Sequence, residues 1–366
     1  MRVFEEMQTK EHEQIVYCYD RPTGLKAIIA IHNTVLGPAL GGCRMWPYEN
    51  EESALYDALR LSRGMTYKSA VAGLNLGGGK AVIIGDAKTM KCEALFRAFG
   101  RFVESLAGRY ITAEDVGTSV SDMEWVRAET DYVTGISRAL GGSGDPSPVT
   151  AFGVYHGMRA ALKKVFGSDS LVGRTIALQG VGQVGFYLIG HLLSAGAKVI
   201  AADIDADKIK RTDSQYDGAV SFLPPNDIYD VECDVFAPCA LGGTVNAKTI
   251  PRLRCRIVAG CANNVLENED LDGPALVERK ILYVPDYVIS AGGIINVSTE
   301  LDGHTRKHAT NKAAGIFDIV SQLLAIAETE KISTLKAANA LAERRMASIA
   351  NLKKLSIERP PRERSR

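Results

Sequence analysis

The stretch that decides the fold begins Thr175-Ile-Ala-Leu-Gln-Gly180-Val-Gly182-Gln-Val-Gly185, continues as FYLIGHLLSAG and closes on Lys198-Val-Ile-Ala-Ala-Asp203. A short apolar run leads into three glycines spaced G-x-G-x-x-G, an apolar helical segment follows, and a second apolar run ends on an acid. Gly180 permits a tight turn, Gly182 lets backbone approach a pyrophosphate, and Gly185 lets helix and strand pack closely. Val181, Gln183 and Val184 fill the turn and open the helix, whose unpaired N–H groups and positive dipole end attract phosphate. Asp203 lies 23 residues after Gly180, near the spacing of an acid that binds the adenosine ribose hydroxyls. A carboxylate there repels a 2′-phosphate, so the expected cofactor is NAD; Asp205 is a second candidate for the same contact. Glycine-rich turns are common, and it is the strand before, the helix after and the acid beyond that give this one meaning.

Downstream the chain keeps a strand–helix rhythm. Apolar runs at Ile176–Leu178, Val199–Ala202, Val235–Ala237, Ile257–Ala259 and Ile281–Val284 predict strands buried on both faces, as a parallel sheet requires. Helical patterns follow at Ile316–Ile326 and Leu335–Leu352, and the charged end ERPPRERSR predicts a disordered tail. Upstream, Gly141-Gly-Ser-Gly-Asp-Pro-Ser-Pro148 packs three glycines and two prolines into eight residues and predicts a hinge that excludes helix. Before it the rhythm is irregular: strands are expected at Ala27–Ile31 and Ala81–Ile84, and a helix over Glu93–Leu106. Another helix is expected to start at the N-cap Asn50 and to close at Arg60 and Arg63.

At 366 residues two domains are expected. Lys+Arg and Asp+Glu both number 43, so no charge excess favours nucleic acid or anionic lipid; a small-molecule enzyme or an oligomer fits better. No run approaches the roughly 20 apolar residues of a membrane span, and the acidic N-terminus lacks the apolar core of a secretory signal. The seven cysteines are scattered with no metal-ligand spacing, so they read as reduced cytoplasmic thiols and no metal is expected.

Between Lys68 and Lys80 no other charge occurs, and Gly77–Gly79 precede an apolar strand. Either lysine alone is by default a solvated surface residue. Two of them framing an apolar segment suit the oxidation of an amino acid, which needs a cation for the carboxylate and a base for water. One lysine kept charged would lower the pKa of the other, and the glycines would leave room for substrate or nicotinamide. Asp115, ending the run RYITAED, is either a handler of substrate ammonium and protons or a helix cap. A hydroxy-acid dehydrogenase would want a catalytic histidine, and His32 and His191 read as ordinary element residues.

Taken together, GPALGGCRMW (37–46), GMTYKSAVAGLNLGGGKAVIIGD (64–86), GRYITAEDVGT (108–118), PSPVTAFGV (146–154), APCALGG (237–243), CANN (261–264) and PDYVISAGGIINV (285–297) resemble the Glu/Leu/Phe/Val amino-acid dehydrogenase family, in colinear order over nearly the whole chain. The resemblance implies an α/β chain of two domains with an active-site cleft between them. A substrate-binding and oligomerisation domain would span 1–140 plus a C-terminal helix at about 332–355; a Rossmann-type NAD-binding domain would span 145–330, and 356–366 would be the tail. It implies Lys80 as catalytic base, Lys68 as binder of the substrate carboxylate, and Asp115 as partner in proton handling. Leu40, Gly41, Ala113, Thr134, Ile294 and Val297 fall at the family's side-chain pocket; Thr150, Ala240, Asn263 and Asn264 fall where it holds NAD and substrate. The implied reaction is reversible deamination of a branched aliphatic L-amino acid, leucine first, with valine, phenylalanine and tryptophan as alternatives, by a homo-octamer or dimer. Cys43 stands where the family usually has Thr, and Ser290 where it usually has Asn. The rival from another class is a regulatory NAD-binding protein without catalysis, for which Lys68, Lys80 and Asp115 together would have no use.

Overall fold

The computed structural model describes residues 2–303 and 305–352, so the expected tail lies outside the described residues. The N-terminal part builds one sheet from β1 (Gln14–Asp20), β2 (Leu25–Asn33), β3 (Ala39–Trp46), β4 (Gly77–Ile84) and β5 (Tyr110–Glu114), in the order β1-β2-β4-β3-β5. The β1–β2 hairpin is turned at Asp20, whose carboxylate accepts from the Thr23 N–H and hydroxyl. β2 and β4 are antiparallel, while β4–β3 and β3–β5 are parallel. Its helices are α1 (Val3–Lys10), α2 (Glu51–Val71), α3 (Glu93–Ser105) and α4 (Val120–Arg127).

Asn50 caps α2, accepting from the Ser53 N–H at 2.8 Å. The helix passes the expected stop at Arg60 and Arg63 and runs to Val71, because its last turns are buried against β2 and β4. The glycines of β4 allow this. A Cβ at Gly78 would meet the Thr66 backbone nitrogen at 2.1 Å, one at Gly77 the Asn33 carbonyl at 2.0 Å, and one at Gly79 the Tyr110 ring at 2.6 Å. The room expected for substrate or nicotinamide is therefore filled by the protein's own atoms, and Lys68 rides in on the lowered helix end.

The second sheet contains β6 (Thr175–Gln179), β7 (Lys198–Ala202), β8 (Val220–Phe222), β9 (Val235–Pro238), β10 (Ile257–Val258) and β11 (Leu282–Tyr283), ordered β11-β10-β9-β6-β7-β8. All its pairings are parallel. This is the doubly wound order, with the chain reversing direction across the sheet between β6 and β9. Around it lie α5 (Ser147–Phe166), α6 (Gln183–Ser194), α7 (Ala206–Gln215), α8 (Glu269–Glu278), α9 (Asp286–Ile289), α10 (Gly292–Leu301), α11 (Arg306–Ala314) and α12 (Ile316–Glu330). The turn-rich segment is shorter than expected: Ser147 and Pro148 already belong to the first turn of α5, where a proline costs no hydrogen bond.

The last helix, α13 (Thr334–Leu352), packs on both α12 and α2. The Tyr67 hydroxyl donates to Glu343 at 2.8 Å, and Arg345 donates to the carbonyls of Ala70 (3.2 Å) and Leu74 (2.6 Å). A continuous apolar core joins the two sheets, since Leu36, Leu40, Tyr67 and Ile111 pack into the same cluster as Ile176, Ile294 and Ala338. Among the described residues no helix is long and apolar enough to cross a membrane.

Candidate active site

Parallel pairing of β3 with β4 and β5 sets Leu40 beside Gly78 and Ile111, and Gly42 beside Ala113. Gly41 has no alternative, because a Cβ there would lie 1.7 Å from the Gly79 carbonyl oxygen. Lys80 projects from the middle of β4 and is only 5% exposed. Its Nζ lies 2.6 Å from Asp115 Oδ2, just beyond the end of β5. The same oxygen accepts from Arg44 Nε at 3.2 Å, and Arg44 pairs in turn with Asp57 at 2.9 Å. Asp115 is therefore not a helix cap; Ser119 begins α4 instead. Burial alone would raise the Asp115 pKa, but the charges of Lys80 and Arg44 prevail and hold it below the usual carboxylate value.

Lys68 sits in the last turn of α2 and crosses to the second sheet's side, where its Nζ donates to Ser290 Oγ at 3.1 Å. Burial, assisted by the charge of Lys80, lowers its pKa against the opposing pull of Asp286. The depression expected from two neighbouring lysines is found at Lys68, and Lys80 has a carboxylate partner. Arg44 and Asp286 were not anticipated. Arg44 lies inside the GGCRMW motif, but nothing in its spacing shows that it would reach Asp115. Asp286 accepts from the Val265 and Tyr287 N–H groups at 2.8 and 2.6 Å, fixing the loop after Asn263-Asn264.

The remaining pocket residues come from both sides. Thr134 extends the first sheet at its edge, its N–H bonded to the Thr112 carbonyl at 2.9 Å. Ile294 and Val297 lie one turn apart on α10, Ile294 in the same core cluster as Leu40 and Val297 packed against it. Thr150 packs under the start of that helix: a Cβ on Gly293 would meet its hydroxyl at 3.2 Å.

The glycine turn lies at the C-terminal edge of β6, where ligands bind in doubly wound sheets. Gly180 has φ +97°, and a Cβ on it would strike Ala240 at 2.7 Å. Gly182 faces open space, with nothing within 4 Å of where a Cβ would stand. A Cβ on Gly185 would meet the Gly180 carbonyl at 2.2 Å, so this glycine seats α6 against the turn. Gln183 and Val184 open α6. The Val181 N–H is not available to a phosphate, because it donates to Asp203 at 2.7 Å. Asp205 caps α7 through the N–H groups of Asp207 and Lys208, so its carboxylate has a structural task. Asn263 and Asn264 are exposed just past β10. An open glycine turn, a helix N-terminus and an acid at the next strand end fit a dinucleotide without a 2′-phosphate.

A doubly wound sheet beside a buried lysine–aspartate pair places the protein among the amino-acid dehydrogenases, oxidoreductases acting on a CH–NH2 group. The Glu/Leu/Phe/Val dehydrogenase dimerisation domain matches residues 12–132 and the Glutamate/Leucine/Phenylalanine/Valine dehydrogenase domain residues 141–208 and 203–353, so the chain belongs to this family. It is 56% identical to a leucine dehydrogenase of Geobacillus stearothermophilus over 95% of this chain and 94% of that one. With a leucine dehydrogenase of Bacillus cereus the identity is 54%, over 96% and 95%. Among solved structures, L-tryptophan dehydrogenase from Nostoc punctiforme is similar with a TM-score of 0.85 and 43% identity, covering 95% of this chain and 99% of that one. The dimerisation domain marks the protein as a homo-oligomer.

Proposed function

We propose that this protein catalyses the reversible NAD-dependent oxidative deamination of a branched aliphatic L-amino acid, leucine foremost, to the 2-oxo acid and ammonia. The observation that carries the reading is the Lys80–Asp115 pair at 2.6 Å, with Lys68 reaching across the cleft beside it. When held at the glycine turn, NAD would supply the acceptor for the hydride that leaves the substrate Cα. Lys68 holds the substrate carboxylate. Lys80 takes a proton from the water that adds to the iminium carbon, and ionised Asp115 steadies the ammonium so formed. Lys80 then passes that proton to the carbinolamine nitrogen, ammonia leaves, and the neutral Lys80 amine takes the carbinol O–H proton as the carbonyl forms. Asp203 would hold the ribose, and Gly180, Gly182, Gly185, Gln183 and Val184 would hold the phosphates; Val181 serves through its tie to Asp203.

Leu40, Ala113, Ile294 and Val297 are apolar, and none of the residues assigned to the side-chain pocket carries a cation for an acidic side chain. Such a pocket separates substrates by shape, worth about 1–3 kcal/mol per methylene, so valine and isoleucine follow leucine, with phenylalanine and tryptophan behind. The assembly is an octamer or a dimer, and its free thiols suit the cytoplasm. Absorbance of NADH with NAD and a panel of these amino acids tests the reading, and silence across the panel refutes it. Lys80→Ala abolishes turnover and leaves NAD affinity, read by fluorescence titration, nearly unchanged; undiminished turnover removes Lys80 from the base role.

A further inference from the structure

Glu300, at the end of α10, forms a clasp across the cleft. Its Oε1 accepts from the Ser143 N–H at 2.7 Å and the Ser143 hydroxyl at 2.6 Å, and the Gly135 N–H lies 3.2 Å from Oε1 and 3.0 Å from Oε2. Ser143 Oγ accepts in turn from Asn296 Nδ2 at 2.8 Å. Gly135 directly follows Thr134 at the edge of the first sheet and has φ +75°, so a side chain there is disfavoured. The Thr134–Gly135 segment is thus pinned from two directions. On one side Thr134 bonds to the Thr112 carbonyl of β5 through its N–H at 2.9 Å and its hydroxyl at 3.3 Å. On the other it is held by α10, which also presents Val297 three residues, and Asn296 four residues, before Glu300.

We propose that Glu300 is a positioning residue for substrate specificity, fixing the distance between the two walls of the side-chain pocket. The proposal rests on the reading of the cleft as an amino-acid site. Thr134 belongs to one wall, and Ile294 and Val297 to the other. The carboxylate is the direct hydrogen-bonded link between their segments, and Ser143 sits in the connection between the two sheets. Beyond the clasp lies a cavity of about 400 Å³ lined by Arg138, Ser143, Glu300 and Arg306. Without the carboxylate, the Gly135 N–H loses its tie to α10 and the pocket loses its set width. Shape is this pocket's means of choosing among side chains, so its width decides which one is favoured.

The test measures kcat and KM for leucine, valine and phenylalanine, and KM for NAD, in the wild-type holoenzyme and in Glu300→Ala, Glu300→Gln and Ser143→Ala. Glu300→Ala raises the leucine KM and lowers the leucine-to-phenylalanine ratio of kcat/KM by roughly 10-fold, the scale of one methylene's misfit. The NAD constant stays within about twofold, below the 1.4 kcal/mol of a tenfold change. Glu300→Gln keeps one acceptor oxygen and restores most of the ratio. Ser143→Ala shifts it in the same direction by less, and it decides the matter should Glu300→Ala fail to fold. A lowered melting temperature with an unchanged ratio in Glu300→Ala, or in Ser143→Ala where Glu300→Ala does not fold, overturns the proposal. Amide exchange at Gly135 and Ser143, faster in the alanine variant, reads the clasp separately from catalysis. A wild-type enzyme inert on every amino acid refutes the functional reading, while unchanged exchange refutes the clasp.

Discussion

Lys68 and Lys80 are chemically alike and 12 positions apart, yet the fold assigns them opposite surroundings. Lys80 is buried and paired; Lys68 is half-buried against a serine hydroxyl, near Asp286, with its charge disfavoured. A lysine with a depressed pKa loses its proton below the usual 10.5, and a neutral amine no longer holds a carboxylate. The amino-acid KM therefore climbs as pH rises through the lowered Lys68 value, at a pH where an ordinary lysine would still be charged. In Lys68→Ala the KM is roughly 100-fold higher, the cost of about 3 kcal/mol for a desolvated charge pair, and its alkaline climb is gone. A wild-type KM that stays flat to the edge of the usual lysine range contradicts the assignment. The two lysines were visible in the sequence because charge is scarce around them. Their different surroundings were not, because these depend on Asp115, on Arg44, and on Asp286 and Ser290 at the two ends of α9, which reach the site from three separate segments.

The element most legible in the sequence was the strand–turn–helix–strand unit around Gly180–Gly185, since Gly180 is required by its dihedral angle and Gly185 by a contact local to the unit. The N-terminal sheet was harder to read. Its β3, with two adjacent glycines, and its β5 carry no regular alternation, and of the glycines of β4 Gly78 admits α2 while Gly77 and Gly79 admit Asn33 and the Tyr110 ring. Such tolerance for close approach is set by partners distant in sequence. Asp203 belongs to the legible unit yet has a second task there, holding the Val181 N–H. Asp203→Ser raises the NADP-to-NAD ratio of kcat/KM by at least about tenfold, a change of 1.4 kcal/mol, because the repulsion of a 2′-phosphate is removed. An unchanged ratio would mean that the carboxylate serves the turn alone.

At the scale of the whole molecule, α13 ties the end of the chain to its beginning. Arg345 covers the carbonyls of Ala70 and Leu74 at the C-terminal end of α2, where a helix leaves its acceptors unpaired. Arg345→Ala leaves those carbonyls without their charged donor and costs about 2 kcal/mol, read as a lower melting temperature. It also raises the amino-acid KM, because Lys68 stands in that same last turn. Retention of wild-type KM would show that α2 holds Lys68 unaided. The same tie has a bearing on synthesis. A ribosome releases α2 early, but the helix that completes its end begins only at Thr334, near the close of a 366-residue chain. Until then the apolar surface of the core that Ala337, Ala338 and Ala342 join is bare, of the kind that chaperones bind. The first sheet can form during translation, but the carboxylate anchor is set only after nearly all of the chain has emerged. A nascent chain interrupted before α13 would hold every residue assigned to chemistry and still be inert.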